Sequence, residues 1–527
     1  MPKKIILCFD GTCNDPKDAK QKKNLKMELK DGSVTNIFKL HLLLGGGLTK
    51  GEEHLPGQKS LYYSGIGTYG NKFLQWFNAG LALPNMDVAT IINTAARDLA
   101  KTYKAGDEVF VFGFSRGAAI ARRFAATVNK NVKKFKPRAP RIAIRFLGVF
   151  DTVASIGLPN LDDDTKPVSD VKFENCTVAD TVKETLHMVS LDDKRTAFMP
   201  TLMAYDPKRV TELWFAGAHS DIGGGYRYDG LSDITLHFLL DEFSRRGLGL
   251  DVRSPLAIDF NSDACRKLGL SYDDIAIQPN PLGRDHQQER SWLLEWTLTD
   301  RDLRVHVEDD NSTDPPPLPQ IHYTVVERIH GDNDYRPVSL SKRTLKGEEE
   351  NHIPHLVWRP DGEQAAVVYG LTEHLKKGPP TPKKLEVGAS RLVTVYANTK
   401  MNRSYIYANR DEEYSFSVDI QQKWFDSGIT CGPEGWDRQS VDFPWYQDIP
   451  IKFMEDDRRC PEADWFEIVG VVGKKEQNAF RVLSFTAPNK QLKVKKNTGE
   501  IYLFANDLED RYSNNLGYIQ VKVTRVK

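Results

Sequence analysis

Glu108-Val-Phe-Val-Phe-Gly-Phe-Ser-Arg-Gly-Ala-Ala119 is the stretch on which the fold turns. From Val109 to Phe112 it is apolar without alternation, the mark of a strand buried on both faces. Gly113-x-Ser115-x-Gly117 follows at once. Ala118, Ala119, Ile120, Ala121, Phe124 and Ala125 then supply the apolar surface of a helix. Strand, sharp turn and helix in that order lift the Ser115 hydroxyl above a sheet edge. Glycines two residues to either side leave room for a strained backbone. The helix start aims backbone N–H groups, that of Arg116 among them, at the oxyanion an acyl attack would form. The bland alternative is a Gly-rich turn in which Ser115 only caps the helix.

A serine hydroxyl is a weak nucleophile and needs a base, which in turn needs an orienting carboxylate. After such an elbow the acid precedes the histidine in the chain. Ile142 to Phe150 reads as the next apolar strand and ends in Asp151. Glu212 to Ala216 reads as another and leads into Gly217-Ala-His-Ser-Asp221. Asp151 and His219 are therefore the candidate acid and base. Asp221 is the alternative acid and His286 the rival base. His187 and His237 read as packed, structural histidines. Asp10-Gly11-Thr12 ends the first strand, residues 4–9, near the same edge, and Gly11 is a candidate second oxyanion donor.

The remaining pattern fits this placement. Residues 13–60 are rich in Lys, Asp and Gly and read as a decorated loop region. Leu61-Tyr-Tyr63 reads as a short strand and 86–104 as a helix. Doubly apolar strands separated by helices indicate an α/β fold with a mostly parallel sheet, and polar residues just past the strands mark where such sheets carry sites.

A chain of 527 residues allows two or three domains. Lys plus Arg (72) equals Asp plus Glu (72). That balance gives no basic excess for nucleic acid. No run of about 18 apolar residues predicts a transmembrane helix. The apolar run Ile5–Phe9 is too short for a signal peptide, so any export is expected to use a route without a cleaved signal. The six cysteines lack zinc spacing and read as isolated thiols, with a Cys431–Cys460 disulfide as the alternative.

Gly378-Pro-Pro-Thr-Pro-Lys-Lys384 reads as a linker between a catalytic domain, 1–377, and a second domain, 385–527. In the latter, Leu392–Tyr396, Ile451–Phe453, Trp465–Val472, Phe480–Phe485 and Ile501–Phe504 read as short strands of an all-β sandwich or barrel.

Phe9-Asp-Gly-Thr12, Tyr63-Ser-Gly-Ile-Gly-Thr68, Gly113-Phe-Ser-Arg-Gly-Ala-Ala119, Gly148-Val-Phe-Asp-Thr-Val153, Leu191-Asp-Asp-Lys-Arg-Thr-Ala-Phe198 and Trp214-Phe-Ala-Gly-Ala-His-Ser-Asp-Ile-Gly-Gly-Gly-Tyr226 occur in order. Over about residues 1–330 they resemble the α/β-hydrolase family that includes lipase and phospholipase effectors of bacterial type VI secretion. The resemblance implies a Ser115–Asp151–His219 triad and hydrolysis of phospholipid or other lipid esters without a cofactor. It also implies a secretion-machine spike partner, an immunity protein, and delivery to the periplasm of a target cell. An esterase on small or glycan-borne acyl groups, and a carbohydrate-binding protein with a degenerate hydrolase domain, are the alternatives. Ser427-Gly-Ile-Thr-Cys-Gly-Pro-Glu-Gly-Trp436 with Ile501 to Val523 resembles the calcium-dependent galactophilic lectins of bacteria, small β-sandwiches. That resemblance implies a carbohydrate ligand and calcium held by Asp507, Asn514, Asn515 and the Arg511 carbonyl.

Overall fold

The computed structural model describes residues 2–11, 32–48, 52–64, 88–154, 176–286, 298–308, 317–342, 351–359, 367–378, 381–426, 429–441, 451–474, 478–495, 497–509, 511–512 and 515–527. Thr12, Cys13, the Gly65–Thr68 motif, Pro379, Pro380 and Asn514 lie outside them. The chain divides into two compact units, Met1–Ile277 with Arg284–Lys377, and Gln278–Gly283 with Gly378–Lys527.

The first unit contains β1 (Lys4–Phe9), β2 (Gly32–Thr35), β3 (Gln58–Tyr63), β4 (Glu108–Phe114), β5 (Ile144–Phe150), β6 (Thr185–Ser190), β7 (Val210–Phe215), β8 (Gly224–Tyr226) and β9 (Gln320–His322). The short pair β10 (Ser341–Lys342) and β11 (Asn351–His352) precedes β12 (Pro354–Trp358) and β13 (Val368–Tyr369). Nine strands form one sheet in the order β13-β12-β9-β7-β6-β5-β4-β1-β3. Every pairing in it is parallel except β12 with β13. The mostly parallel α/β sheet expected from the doubly apolar strands is thus present.

Period-two geometry sorts the strand residues into two layers. Ile5, Leu7, Phe9, Val109, Val111, Leu147 and Val149 pack in one cluster with α2 (Val88–Thr102) and α3 (Arg116–Phe135). Ile6, Cys8, Phe110, Phe112, Phe146, Phe150, Leu213 and Phe215 pack in the other, against α1 (Asn36–Leu43) and α5 (Gly230–Arg245). Each of those phenylalanines contributes roughly 1.5–3 kcal/mol by leaving water. Strand order reverses at β1, which lies between β3 and β4 although β3 follows it in sequence. The crevice outside the carboxyl ends of β1 and β4 is therefore the natural ligand position. Gly11 and Ser115 stand there.

Helix α1 corrects the loop expected over 13–60. All eight of its residues are buried, Lys39 and His41 included. Its polar side chains are matched by distant partners. Lys39 Nζ meets Asp229 Oδ2 at 2.6 Å and Asp233 Oδ1 at 2.8 Å. Asn36 Nδ2 donates to the Ile222 and Ser232 carbonyls. His237 is exposed on α5 and faces Asp241 at 3.3 Å, not packed as expected.

The second unit is antiparallel. It contains β14 (Ser390–Tyr396), β15 (Asn402–Ala408), β16 (Glu413–Val418), β17 (Trp424–Asp426), β18 (Ile429–Cys431), β19 (Ile468–Val472), β20 (Phe480–Arg481), β21 (Leu492–Lys493), β22 (Gly499–Ala505) and β23 (Asn515–Arg525). One sheet runs β18-β17-β23-β16-β21 with β14 also on β23; the other runs β15-β22-β19-β20. Val393, Val395, Phe416 and Val521 of the first share one apolar cluster with Ile406, Ile468, Ile501 and Leu503 of the second. Two strand expectations fail. Residues 451–454 are helical, and Phe453 is 78% exposed, so this apolar run faces outward. The Phe480–Phe485 run is strand only to Arg481 and then turns through a 3-10 segment, Val482–Phe485. Cys431 and Cys460 are free thiols, not a disulfide.

Candidate active site

Ser115 sits between β4 and α3 with φ 59° and ψ −126°, a left-handed conformation rare for a side chain with a β-carbon. Its glycine neighbours are required by contact. A β-carbon on Gly113 would stand 2.7 Å from the Gly117 carbonyl oxygen, and one on Gly117 would stand 2.3 Å from the carbonyl oxygens of Phe9 and Asp10. Although Ser115 is at the N-cap position of α3, its side chain makes no capping bond. The hydroxyl instead meets His219 Nε2 at 2.8 Å. The bland capping reading of Ser115 does not describe this geometry.

His219 opens α4 (His219–Gly223) just past the end of β7. Two carboxylates hold the turn that presents it. Asp192 Oδ2 accepts the Gly217 N–H at 2.7 Å and Asp193 Oδ2 accepts the His219 N–H at 3.0 Å. The imidazole lies between the rings of Phe114 and Phe198, with centroids 4.7 and 4.9 Å away. Its Nδ1 meets Asp151 Oδ2 at 2.6 Å. A carboxylate only accepts, so Nδ1 carries the proton and Nε2 is left to accept from Ser115. Burial lowers the His219 pKa, the contact with Asp151 opposing it.

Asp151 follows β5 with φ 37°. Its Oδ1 accepts from Ser190 N at 3.0 Å and Arg301 Nη1 at 2.6 Å, and its Oδ2 accepts from Arg301 Nη2 at 2.9 Å. Burial would raise this carboxyl, but the Arg301 charge and the His219 bond outweigh it and hold Asp151 well below the usual carboxylate range. Sequence reading missed Arg301. It lies 150 residues from Asp151 on a stretch without regular structure, and no motif marks it.

Gly11 abuts the nucleophile: a β-carbon there would stand 3.1 Å from Ser115 Cβ. Its N–H, expected to face an oxyanion, donates at 2.6 Å to Asp10 Oδ1. Asp10 also accepts from Thr35 Oγ1 at 2.6 Å and the Tyr62 hydroxyl at 2.5 Å. Burial outweighs these three bonds and lifts its carboxyl to about 6. The Arg116 N–H begins α3, where helix geometry offers it no intrahelical acceptor. The other candidates stand apart from Ser115. His286 Nδ1 meets Asp221 Oδ1 at 2.6 Å and its ring stacks on Tyr226. His187 is fully buried, accepting from Thr152 N and facing Glu212.

In the second unit, Asp507 Oδ2 accepts from Asn515 Nδ2 at 2.9 Å, and Asn515 Nδ2 also donates to the Ala397 carbonyl. Asn515 therefore turns its amide nitrogen, not its oxygen, toward Asp507. Asn515 Oδ1 is buried without a hydrogen-bond partner among the described residues. Among the described residues no group of three or more His, Cys, Asp or Glu side chains is arranged to hold a metal ion.

Several known proteins are similar to this chain. The uncharacterized protein YEL023C of Saccharomyces cerevisiae is 27% identical over 258 residues, 39% of this chain and 34% of that protein. Solved structures include the Tle1 effector bound to the VgrG spike of the type 6 secretion system, 25% identical with a TM-score of 0.28, over 43% of this chain and 51% of that one. Another is an uncharacterized Pseudomonas aeruginosa protein, 21% identical with a TM-score of 0.29, over 50% of this chain and 48% of that one. The chain thus spans about a third of the yeast protein and about half of each of these two solved chains. Residues 3–132 and 128–242, which carry Ser115, Asp151 and His219, match the family model of the Tle1-like phospholipase effector catalytic domain of type VI secretion.

Proposed function

We propose that this chain is a serine carboxylic-ester hydrolase of α/β-hydrolase type that cleaves acyl esters of membrane phospholipid. The observation that carries the reading is the buried relay from Ser115 Oγ to His219 Nε2 at 2.8 Å and from His219 Nδ1 to Asp151 Oδ2 at 2.6 Å. Ser115 attacks the ester carbonyl while His219 takes its proton. Asp151 keeps the imidazole in the reactive tautomer and stabilises the imidazolium that forms. The Arg116 N–H and, once turned from Asp10, the Gly11 N–H hold the oxyanion. His219 then returns the proton to the leaving alcohol, and a water activated by the same imidazole releases the acyl group.

The lipid substrate rests on the phospholipase-effector family model over 3–242. The same match supports delivery by type VI secretion; a spike protein as carrier, an immunity protein in the producing cell and the target-cell periplasm as the place of action complete the reading that the sequence resemblance implies. For the second unit the lectin resemblance supports a carbohydrate contact, which a glycan array of the whole chain would test.

Wild type and Ser115→Ala, incubated with defined phospholipids, should differ by mass spectrometry. Wild type alone should release free fatty acid and lysophospholipid, and the lysophospholipid isomer names the ester position. A Ser115→Ala protein as active as wild type would end the serine reading. Activity confined to small esters would end the phospholipase one.

A further inference from the structure

Among the described residues Arg301 is the one guanidinium that contacts the relay, and it is buried. Nη1 donates to Asp151 Oδ1 at 2.6 Å and to the Ser190 carbonyl at 2.9 Å; Nη2 donates to Asp151 Oδ2 at 2.9 Å and to the Phe198 carbonyl at 2.6 Å. A single side chain thus joins the end of β5, the end of β6 and the turn whose Phe198 ring packs on His219. Burying a guanidinium is costly, the more so as Arg301 Nε is buried without a partner among the described residues, and an apolar side chain would hold three segments together at less cost. The charge is placed where both Asp151 oxygens meet it fork to fork, a geometry that fixes the rotation of the carboxylate.

The charges facing His219 show what this adds. Asp193, which accepts the His219 N–H, is paired with Arg195 at 2.6 Å. Asp192 is held by Gly217 N and the Tyr335 hydroxyl, Asp221 lies against His286, and His187 faces Glu212. Asp151 touches the imidazole directly, and Arg301 balances it. An unbalanced carboxylate at 2.6 Å would favour imidazolium before any substrate arrived. Resting on the hydrolase reading above, we propose that Arg301 is a positioning residue: it locks the Asp151 carboxylate and keeps His219 uncharged until Ser115 surrenders its proton.

Arg301→Gln removes the charge; Arg301→Lys keeps it but lacks the fork. Both are compared with wild type on a soluble p-nitrophenyl ester from pH 5 to 9. For Arg301→Gln the expectation is KM within about twofold and kcat down about 10²-fold. Loss of a positive charge raises the His219 pKa, so the acid limb of kcat/KM should move up by about one to two pH units. Arg301→Lys should lose about tenfold in kcat with an acid limb close to wild type. A folded Arg301→Gln enzyme with an unmoved acid limb overturns the proposal. Should that variant not fold, Arg301→Lys decides, and wild-type kcat there overturns it. A wild type that neither hydrolyses esters nor labels at Ser115 with a fluorophosphonate sinks the hydrolase reading and the proposal together. An active wild type with unaltered variants sinks the proposal alone.

Discussion

Gly117 lies directly against Asp10: a β-carbon on Gly117 would stand 2.3 Å from the Asp10 carbonyl oxygen, with Phe9's at the same distance. This contact sets how closely the start of α3 approaches the end of β1. Both contacting atoms are backbone, so neither can swing away. Gly117→Ala should therefore push the elbow off β1, with an overpacking loss of about 1–3 kcal/mol. Activity should fall further than stability, since displacement of about 1 Å at a catalytic group costs on the order of 10²-fold. Denaturant unfolding beside ester hydrolysis checks this. Near-wild-type values in both would mean the elbow tolerates a wider gap.

Asp151→Asn is expected to do two separable things. An amide at 151 donates as well as accepts, so it can stabilise the wrong His219 tautomer, and kcat/KM should drop on the order of 10⁴-fold. It also leaves Arg301 buried beside a neutral group, a loss of about 3–5 kcal/mol for breaking such a pair. The pH signature follows from the depressed Asp151 carboxyl. A carboxyl whose folded pKa lies below its unfolded value of about 3.9 stabilises above that value and loses this as pH falls through the folded pKa. The stability gap between wild type and Asp151→Asn should be full at pH 6 and shrink below about pH 4. A gap that persists undiminished at pH 2 would mean the loss is packing and not charge.

Ser115 pays in backbone strain for its position, with φ at 59°. Alanine keeps the β-carbon and the strain, whereas glycine adopts positive φ freely. Ser115→Gly and Ser115→Ala should both lack hydrolysis. The glycine variant should nonetheless unfold at higher denaturant, by about 1 kcal/mol, because relief of strain exceeds the entropy glycine adds to the unfolded chain. Equal stabilities would place the elbow in a less strained conformation than the dihedral indicates.

What the sequence made legible was whatever it encoded locally. The Val109–Phe112 run, the glycines around Ser115 and the polar residues ending strands 142–150 and 212–216 each sit within a dozen residues of the structure they specify. Order along the chain then brought Asp151 and His219 to the same edge as Ser115. Partners brought in from far away were not legible. Lys39 falls within the stretch that reads as a decorated loop, and only Asp229 and Asp233, some 190 residues on, enclose it. Arg301 likewise has no local pattern, because its four acceptors belong to other segments. Residues 451–453 show the converse: apolar composition alone suggested a strand, while Phe453 is exposed on a helical turn. The Asp507–Asn515 pair was legible as a polar cluster, but which amide atom faces the carboxylate was not.

Asp285 gives the last test, and its sign runs opposite to that of Asp151. Burial first, and then the neighbouring Asp221 charge, lift the Asp285 carboxyl to about 8. At neutral pH it keeps its proton. Between the unfolded carboxylate value of about 3.9 and 8, the native chain holds a proton that the unfolded chain has released. The stability contributed by Asp285 is thus fully present below about pH 4 and lost as pH rises through about 8. Asparagine is neutral at every pH and carries no such proton requirement. The thermal midpoint of Asp285→Asn should therefore rise relative to wild type between pH 5 and pH 9, with the two closest at the acid end. Because Asp221 receives the Ala218 N–H at 2.9 Å, next to His219, a second charge beside it disturbs this turn, and wild type should lose esterase activity above pH 8 sooner than the variant does. A midpoint difference independent of pH would mean that Asp285 is ionised in the folded protein.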